Sequence, residues 1–225
     1  MKNNKLQSGF TLIELIAVMV ILGILAAVIV PRISTLTSGA YESNVRSMFG
    51  VIKNEVTAQS VKAAMTGGAG GHREKFPTVD NGQDRNYYLK LWVDDYDEAL
   101  WAEDCLDGAT AGMGNTNKSA GGNNQPDVAV FTYQPHGLQA GYGGTTTDKE
   151  DIYFIYYMPV TTLKGEANGY DFDGYMMFAT QDADLDGTPD AQGAIAEDGT
   201  LSITANGETV IADLTFVTQI AVDEG

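Results

Sequence analysis

The 225-residue chain predicts an α+β protein: a long amino-terminal α-helix whose carboxy-terminal half packs on an antiparallel β-sheet head with Gly- and Asn-rich loops. Three observations carry this expectation. The run Phe10–Val30 is apolar apart from Thr11 and Glu14. Apolar residues then recur at steps of three and four between Val45 and Ala63, the period of an amphipathic helix. After residue 66 the chain breaks into short β-prone segments, with no second long helical pattern and therefore no βαβ rhythm.

Phe10 to Val30 would span about 31 Å as a helix, close to the ~30 Å hydrocarbon core of a bilayer. Lys2 and Lys5 precede it, which predicts a cytoplasmic amino terminus and everything after residue 30 outside. A secretory signal is cut after its apolar core; here the plausible processing point lies before the core, after Gly9. Cutting there frees an amine on Phe10 and leaves the apolar helix on the product. Glu14 is the only ionisable side chain in the run, and a carboxylate at apolar depth marks a partner. Residues 10 and 14 share a helix face, so Glu14 pairs with its own Phe10 amine or with that of a neighbouring helix. The second arrangement sets an axial stagger, because an unpaired carboxylate in a dry bundle is strongly disfavoured. The plainer alternative is a membrane anchor whose Glu14 snorkels to the interface.

Pro31 lacks an amide hydrogen and clashes with the preceding turn, so a kink or local melting is expected over 27–31, or else a full stop. Continuation is favoured by Val45, Met48, Phe49, Ile52, Val56, Gln59 and Ala63 on one face, opposite Glu42, Asn44, Arg46, Lys53 and Lys62. Gly67-Gly68-Ala69-Gly70-Gly71 ends the element. The expected organisation is a cleaved leader at 1–9, a transmembrane or filament-core helix at 10–30, an amphipathic helix at 31–66 and a β-rich head at 67–225.

In the head, strands are expected at Tyr87–Val93, Val128–Gln134, Ile152–Met158, Gly174–Thr180, Leu201–Ala205 and Thr209–Val217. Asn206-Gly207 between the last two is a strong hairpin signal. Residues 107–126 and 136–149 read as long surface loops. Trp92 and Trp101 bracket the acidic stretch Asp94–Glu98 and read as core aromatics beside a solvated turn.

Asp182, Asp184, Asp186 and Asp190 stand at positions 1, 3, 5 and 9 of a loop with Gly187 at position 6 and the Thr188 carbonyl at position 7. That spacing wraps calcium. Position 12 is Gly193, so the bidentate Glu of an EF-hand is missing; Glu197, Asp198, Asp171 or Asp173 would complete the shell. The expected cofactor is one structural calcium ion tying this loop to the last hairpin; the alternative is a solvated acidic turn.

The charge count, 13 basic against 30 acidic residues and net −17, argues against nucleic-acid binding. Loss of Lys2 and Lys5 leaves 11 basic residues and net −19, an anionic surface that repels itself. Cys105 is the only cysteine, excludes an internal disulfide, and is expected to be buried. His72 and His136 lie in Gly-rich contexts without metalloprotease spacing, and no nucleophile elbow or phosphate loop is present, so no enzyme is expected.

The Lys-containing leader, Gly9-Phe10-Thr11-Leu12-Ile13-Glu14, the apolar run and Pro31-Arg32 resemble the class III signal of type IV pilins and type II secretion pseudopilins. The resemblance implies cleavage after Gly9 by a membrane peptidase that also methylates the Phe10 amine, and neutralisation of a neighbour's amino terminus by Glu14. Residues 39–63 resemble mannose-sensitive haemagglutinin-type pilins more loosely, through Gly39-Ala40-Tyr41 and Asn44-Val45. Such pilins usually close a carboxy-terminal loop with a disulfide that this chain cannot form, and heads of this family sometimes hold that loop with calcium instead. The implied partners are identical subunits meeting through their amino-terminal helices, the prepilin peptidase and an inner-membrane assembly platform. The implied product is a single-pass inner-membrane protein that becomes part of a cell-surface pilus for adhesion, motility or surface contact. A secretion pseudopilin is the close alternative and a tethered calcium-binding adhesion module the more distant one.

Overall fold

One helix, α1 (Leu12–Thr66), opens the structure. The computed structural model describes residues 10–66, 74–107, 127–138, 151–160, 174–195 and 200–218. The leader with Gly9, the glycine run 67–71, most of the loops 107–126 and 136–149, and Asp171, Asp173, Glu197 and Asp198 lie outside the described residues. The chain divides into two units, Met1–Glu42 and Ser43–Gly225.

The described part of the first unit is helix from Leu12 onward. Every large apolar side chain between Leu12 and Val30 is exposed, from 48% at Ile29 to 76% at Leu12. α1 is long and apolar enough to cross a membrane. It runs through Pro31 without interruption, so the full stop is excluded. The Ala27 carbonyl there lacks its usual N–H partner, because proline has none.

In the second unit the three–four spacing of α1 becomes a buried face. Val45, Ile52 and Val56 are fully buried, with Met48, Phe49 and Ser60 beside them. Each large apolar member contributes about 1.5–3 kcal/mol when removed from water. Asn44 Nδ2 donates to the Tyr133 hydroxyl at 2.9 Å, Lys53 Nζ lies 3.5 Å from the Phe216 ring centre, and Arg46 pairs with Asp213. These contacts fix which face of the sheet α1 covers.

The sheet has five antiparallel strands in the order β1-β2-β3-β4-β7: β1 Trp101–Leu106, β2 Val128–Tyr133, β3 Tyr153–Val160, β4 Gly174–Asp182 and β7 Glu208–Val217. β5 (Ala191–Ile195) and β6 (Leu201–Ala205) form a separate antiparallel pair. Leu201, Ile203 and Ala205 pack on the cluster that includes Phe154, Tyr156, Met158, Met176 and Phe178, so both faces of the central strands are covered. For this reason β2 and β3 are buried along their whole length rather than alternately.

Two expectations are corrected. The segment Tyr87–Val93 is not a strand; Tyr87–Trp92 forms the short helix α2. Its β-prone residues are overruled by distant caps: Glu103 Oε2 in β1 accepts the N–H of Tyr88 at 2.8 Å and of Leu89 at 3.4 Å, while Asn86 Oδ1 accepts the Glu103 N–H at 2.7 Å. Those are the donors a helix start leaves open. Nor does Asn206-Gly207 close a hairpin. Gly207 adopts φ +80° as a tight turn requires, but β6 pairs with β5 and β7 with β4, so the turn is a corner between sheets. β4 offers a long edge from Asp182↔Glu208 to Met176↔Val217, and burial in two layers outweighs an isolated ribbon. Strands β1 and β5 lie where sequence patterning places none.

Candidate functional site

Two sets of residues bear on function. The first is the acidic loop leaving β4. The carboxylates of Asp182, Asp184 and Asp186 lie together, with one oxygen of each within 4.8 Å of the others. Asp190 stands outside that group among the described residues. Asp182 is buried and accepts the N–H of Leu185 at 2.9 Å and of Gly187 at 2.8 Å. Left-handed backbone at Leu185 (φ 60°) and Gly187 (φ 78°) turns these donors inward. Asp186 Oδ1 accepts the Thr188 N–H at 2.7 Å. Burial, with the Asp184 carboxylate nearby, raises the Asp182 carboxyl to about 6.

The loop is fastened to the β6–β7 corner by the chain itself. The Ala183 N–H donates to the Gly207 carbonyl at 3.1 Å, and a side chain on Gly207 would collide with Asp184. Below it, Glu208 is buried and its carboxylate accepts from four donors: the hydroxyls of Tyr156 (2.8 Å) and Thr180, and the N–H groups of Asp190 and Ala191 (3.1 Å). Burial pushes its carboxyl above the ordinary range. Sequence patterning does not single out Glu208, because nothing local distinguishes it from a surface acid beside a turn.

The second set is the helix start. Phe10 is 83% exposed. Glu14 Oε2 accepts both the N–H and the hydroxyl of Thr11 at 2.8 Å, and the Thr11 hydroxyl accepts the Glu14 N–H at 3.4 Å. The pair is a reciprocal cap, legible in hindsight as Thr-x-x-Glu ahead of an apolar run. Within one chain Glu14 is therefore engaged with Thr11. Residues 4–30 match the family described as Prokaryotic N-terminal methylation motif. The chain is 44% identical over 55 residues to a Thermus thermophilus protein described as Type IV narrow pilus major component PilA5.

By its amino-terminal segment the chain belongs to the type IV pilin family. The matched stretch is 24% of this chain and 47% of that pilin, less than half its length. No solved structure matches the chain. The pilin segment thus coincides with the exposed apolar helix, and the head stands on its own geometry. There Trp92 and Trp101 are core aromatics as expected, with Asp94, Asp95, Asp97 and Glu98 exposed. Cys105 is half-buried rather than buried; its thiol donates to Glu103 Oε1 at 3.2 Å, and burial pushes its pKa well up. His136 lies 3.8 Å from Asp151.

Proposed function

We propose that this pilin-type chain is the structural, non-catalytic subunit of an extracellular type IV pilus serving adhesion, motility or other surface contact. The observation that carries the reading is an apolar helix surface from Leu12 to Val30 with no cover from its own chain, carrying one carboxylate at its start. Such a surface is satisfied either by lipid or by identical helices, and assembly exchanges the first for the second. Before assembly the subunit is anchored in the inner membrane. The prepilin peptidase cuts after Gly9 and methylates Phe10, and the assembly platform draws the helix out. Glu14 then exchanges its Thr11 bonds for a neighbour's Phe10 amine. The pilus reading is preferred to a secretion pseudopilin because the relative in Thermus is described as a pilus component. Glu14→Ala tests it: maturation proceeds and surface filaments are lost. Normal filaments from that variant would reject the pairing role.

We further propose that the acidic loop holds calcium in a structural role. Asp182, Asp184 and Asp186, with the Thr188 carbonyl and Asp190, are oxygen donors of the kind calcium takes. A divalent cation there neutralises carboxylates that otherwise repel one another and leave Asp182 hard to ionise. Glu208 keeps the loop exit in place from beneath.

A further inference from the structure

Beside the turn that follows α2 lies a cleft of about 740 Å³, bounded on its other side by α1 residues 44–58. Glu55, Asp94, Asp95 and Asp97 supply carboxylates to its wall. Trp92 also lines it, is 4% exposed, and its indole N–H has no hydrogen-bond acceptor among the described residues. The hydroxyl of Tyr96, on the same wall, is a second buried polar atom without a partner among them. Buried donors are nearly always satisfied in folded proteins, and leaving one open is costly. The rest of this corner obeys that rule: Asp97 Oδ1 accepts the Ala99 N–H at 2.9 Å, and the Tyr133 hydroxyl accepts from Asn44.

We propose that this cleft binds a neutral polyhydroxylated ligand, a saccharide unit. The two open groups and the carboxylates define its chemistry between them. The indole N–H requires an acceptor, whereas the carboxylates require donors. A cation answers the carboxylates and leaves the indole open. An anion answers the indole and is repelled by four carboxylates on a chain of net charge −17. A sugar hydroxyl donates and accepts at once, and the C–H face of its ring suits the apolar wall of Val51, Ala58 and the Trp92 edge. The volume falls within the range of small-molecule sites. The site lies in the head, apart from Phe10 and Glu14, and does not depend on polymerisation.

The test uses the detergent-solubilised full chain, titrated with a panel of neutral methyl hexosides and N-acetylhexosamines while tryptophan fluorescence and ligand-observed NMR are followed. At least one member binds saturably, while choline and acetate do not. Trp92→Phe and Tyr96→Phe each remove one hydrogen-bonding group and weaken that binding about tenfold with the circular dichroism unchanged. Should Trp92→Phe fail to fold, Tyr96→Phe alone decides. The proposal is overturned if no neutral glycoside saturates, if Tyr96→Phe binds as the parent does, or if choline binds as tightly as the sugars. In the last case the cleft is a cation site; in the first, water satisfies its donors.

Discussion

The first turns of α1 and the strand β3 are about equally apolar, yet the molecule treats them oppositely. Between Leu12 and Val30 no large side chain is covered, whereas all eight residues of β3 are buried, between α1 and α2 on one face and the β5–β6 pair on the other. The head finds every partner for its apolar surface within its own chain. The amino-terminal helix finds none there, so its partners must be lipid or other copies. Their acids follow the same division. Glu208 and Glu103 are buried and answered by several donors from the same chain, while Glu14 is exposed and held by Thr11 alone.

The largest effect that sharpens this contrast is all-or-none. Thr11→Ala removes the local cap and keeps the carboxylate; if Glu14 serves a neighbour, filaments persist in electron micrographs while Glu14→Ala abolishes them. Loss of filaments in both variants would assign Glu14 to helix capping instead.

Next comes the head's self-sufficiency. Glu208→Ala leaves four buried donors open and should destabilise the full chain in detergent by about 3 kcal/mol, seen as a lowered thermal midpoint. A loss below about 1 kcal/mol would show that these donors find other partners.

Glu103 offers a smaller effect with a pH signature. Glu103→Ala uncaps α2 and should cost about 2 kcal/mol, whereas Glu103→Gln keeps an acceptor for the Tyr88 N–H. Burial, opposed by its bonds to Cys105, Tyr88 and Leu89, raises this carboxyl above its ordinary 4.5. A raised acid stabilises the fold fully below its unfolded value, and that contribution fades as pH climbs through the folded value. The parent should therefore lose stability relative to Glu103→Gln as pH rises from about 4.5 toward neutrality. A difference independent of pH, measured by chemical denaturation, would place the titration elsewhere.

The smallest effect is calcium. At tenfold excess over the dissociation constant one site stabilises by about 1.4 kcal/mol, or roughly 3–6 °C for a domain of this size. Asp186→Asn should reduce that shift while leaving the chelated protein little changed. Equal melting with calcium and with chelator would remove the metal from the loop.

Much of this was legible along the chain because it depends on near neighbours. The apolar run and its single acid, the three–four spacing of the Val45–Val56 face, the strands β2, β3 and β4, and the acidic loop are patterns a few residues long, and the structure places each where its pattern stands. Thr11 was readable too, since a cap spans only one helical turn. What tertiary structure alone decided involves partners far apart in sequence. Glu103 turns a β-prone stretch into α2 from 14 and 15 positions away. The free edge of β4 draws β7 away from β6, so the Asn206-Gly207 turn joins two sheets. Glu208 becomes the anchor beneath the acidic loop because β3, β4 and the loop exit deliver donors to one buried point, from as far as 52 residues away. Local patterns set what a segment prefers; a long-range hydrogen bond to a buried group outweighs that preference, because leaving such a group open costs more than the preference is worth.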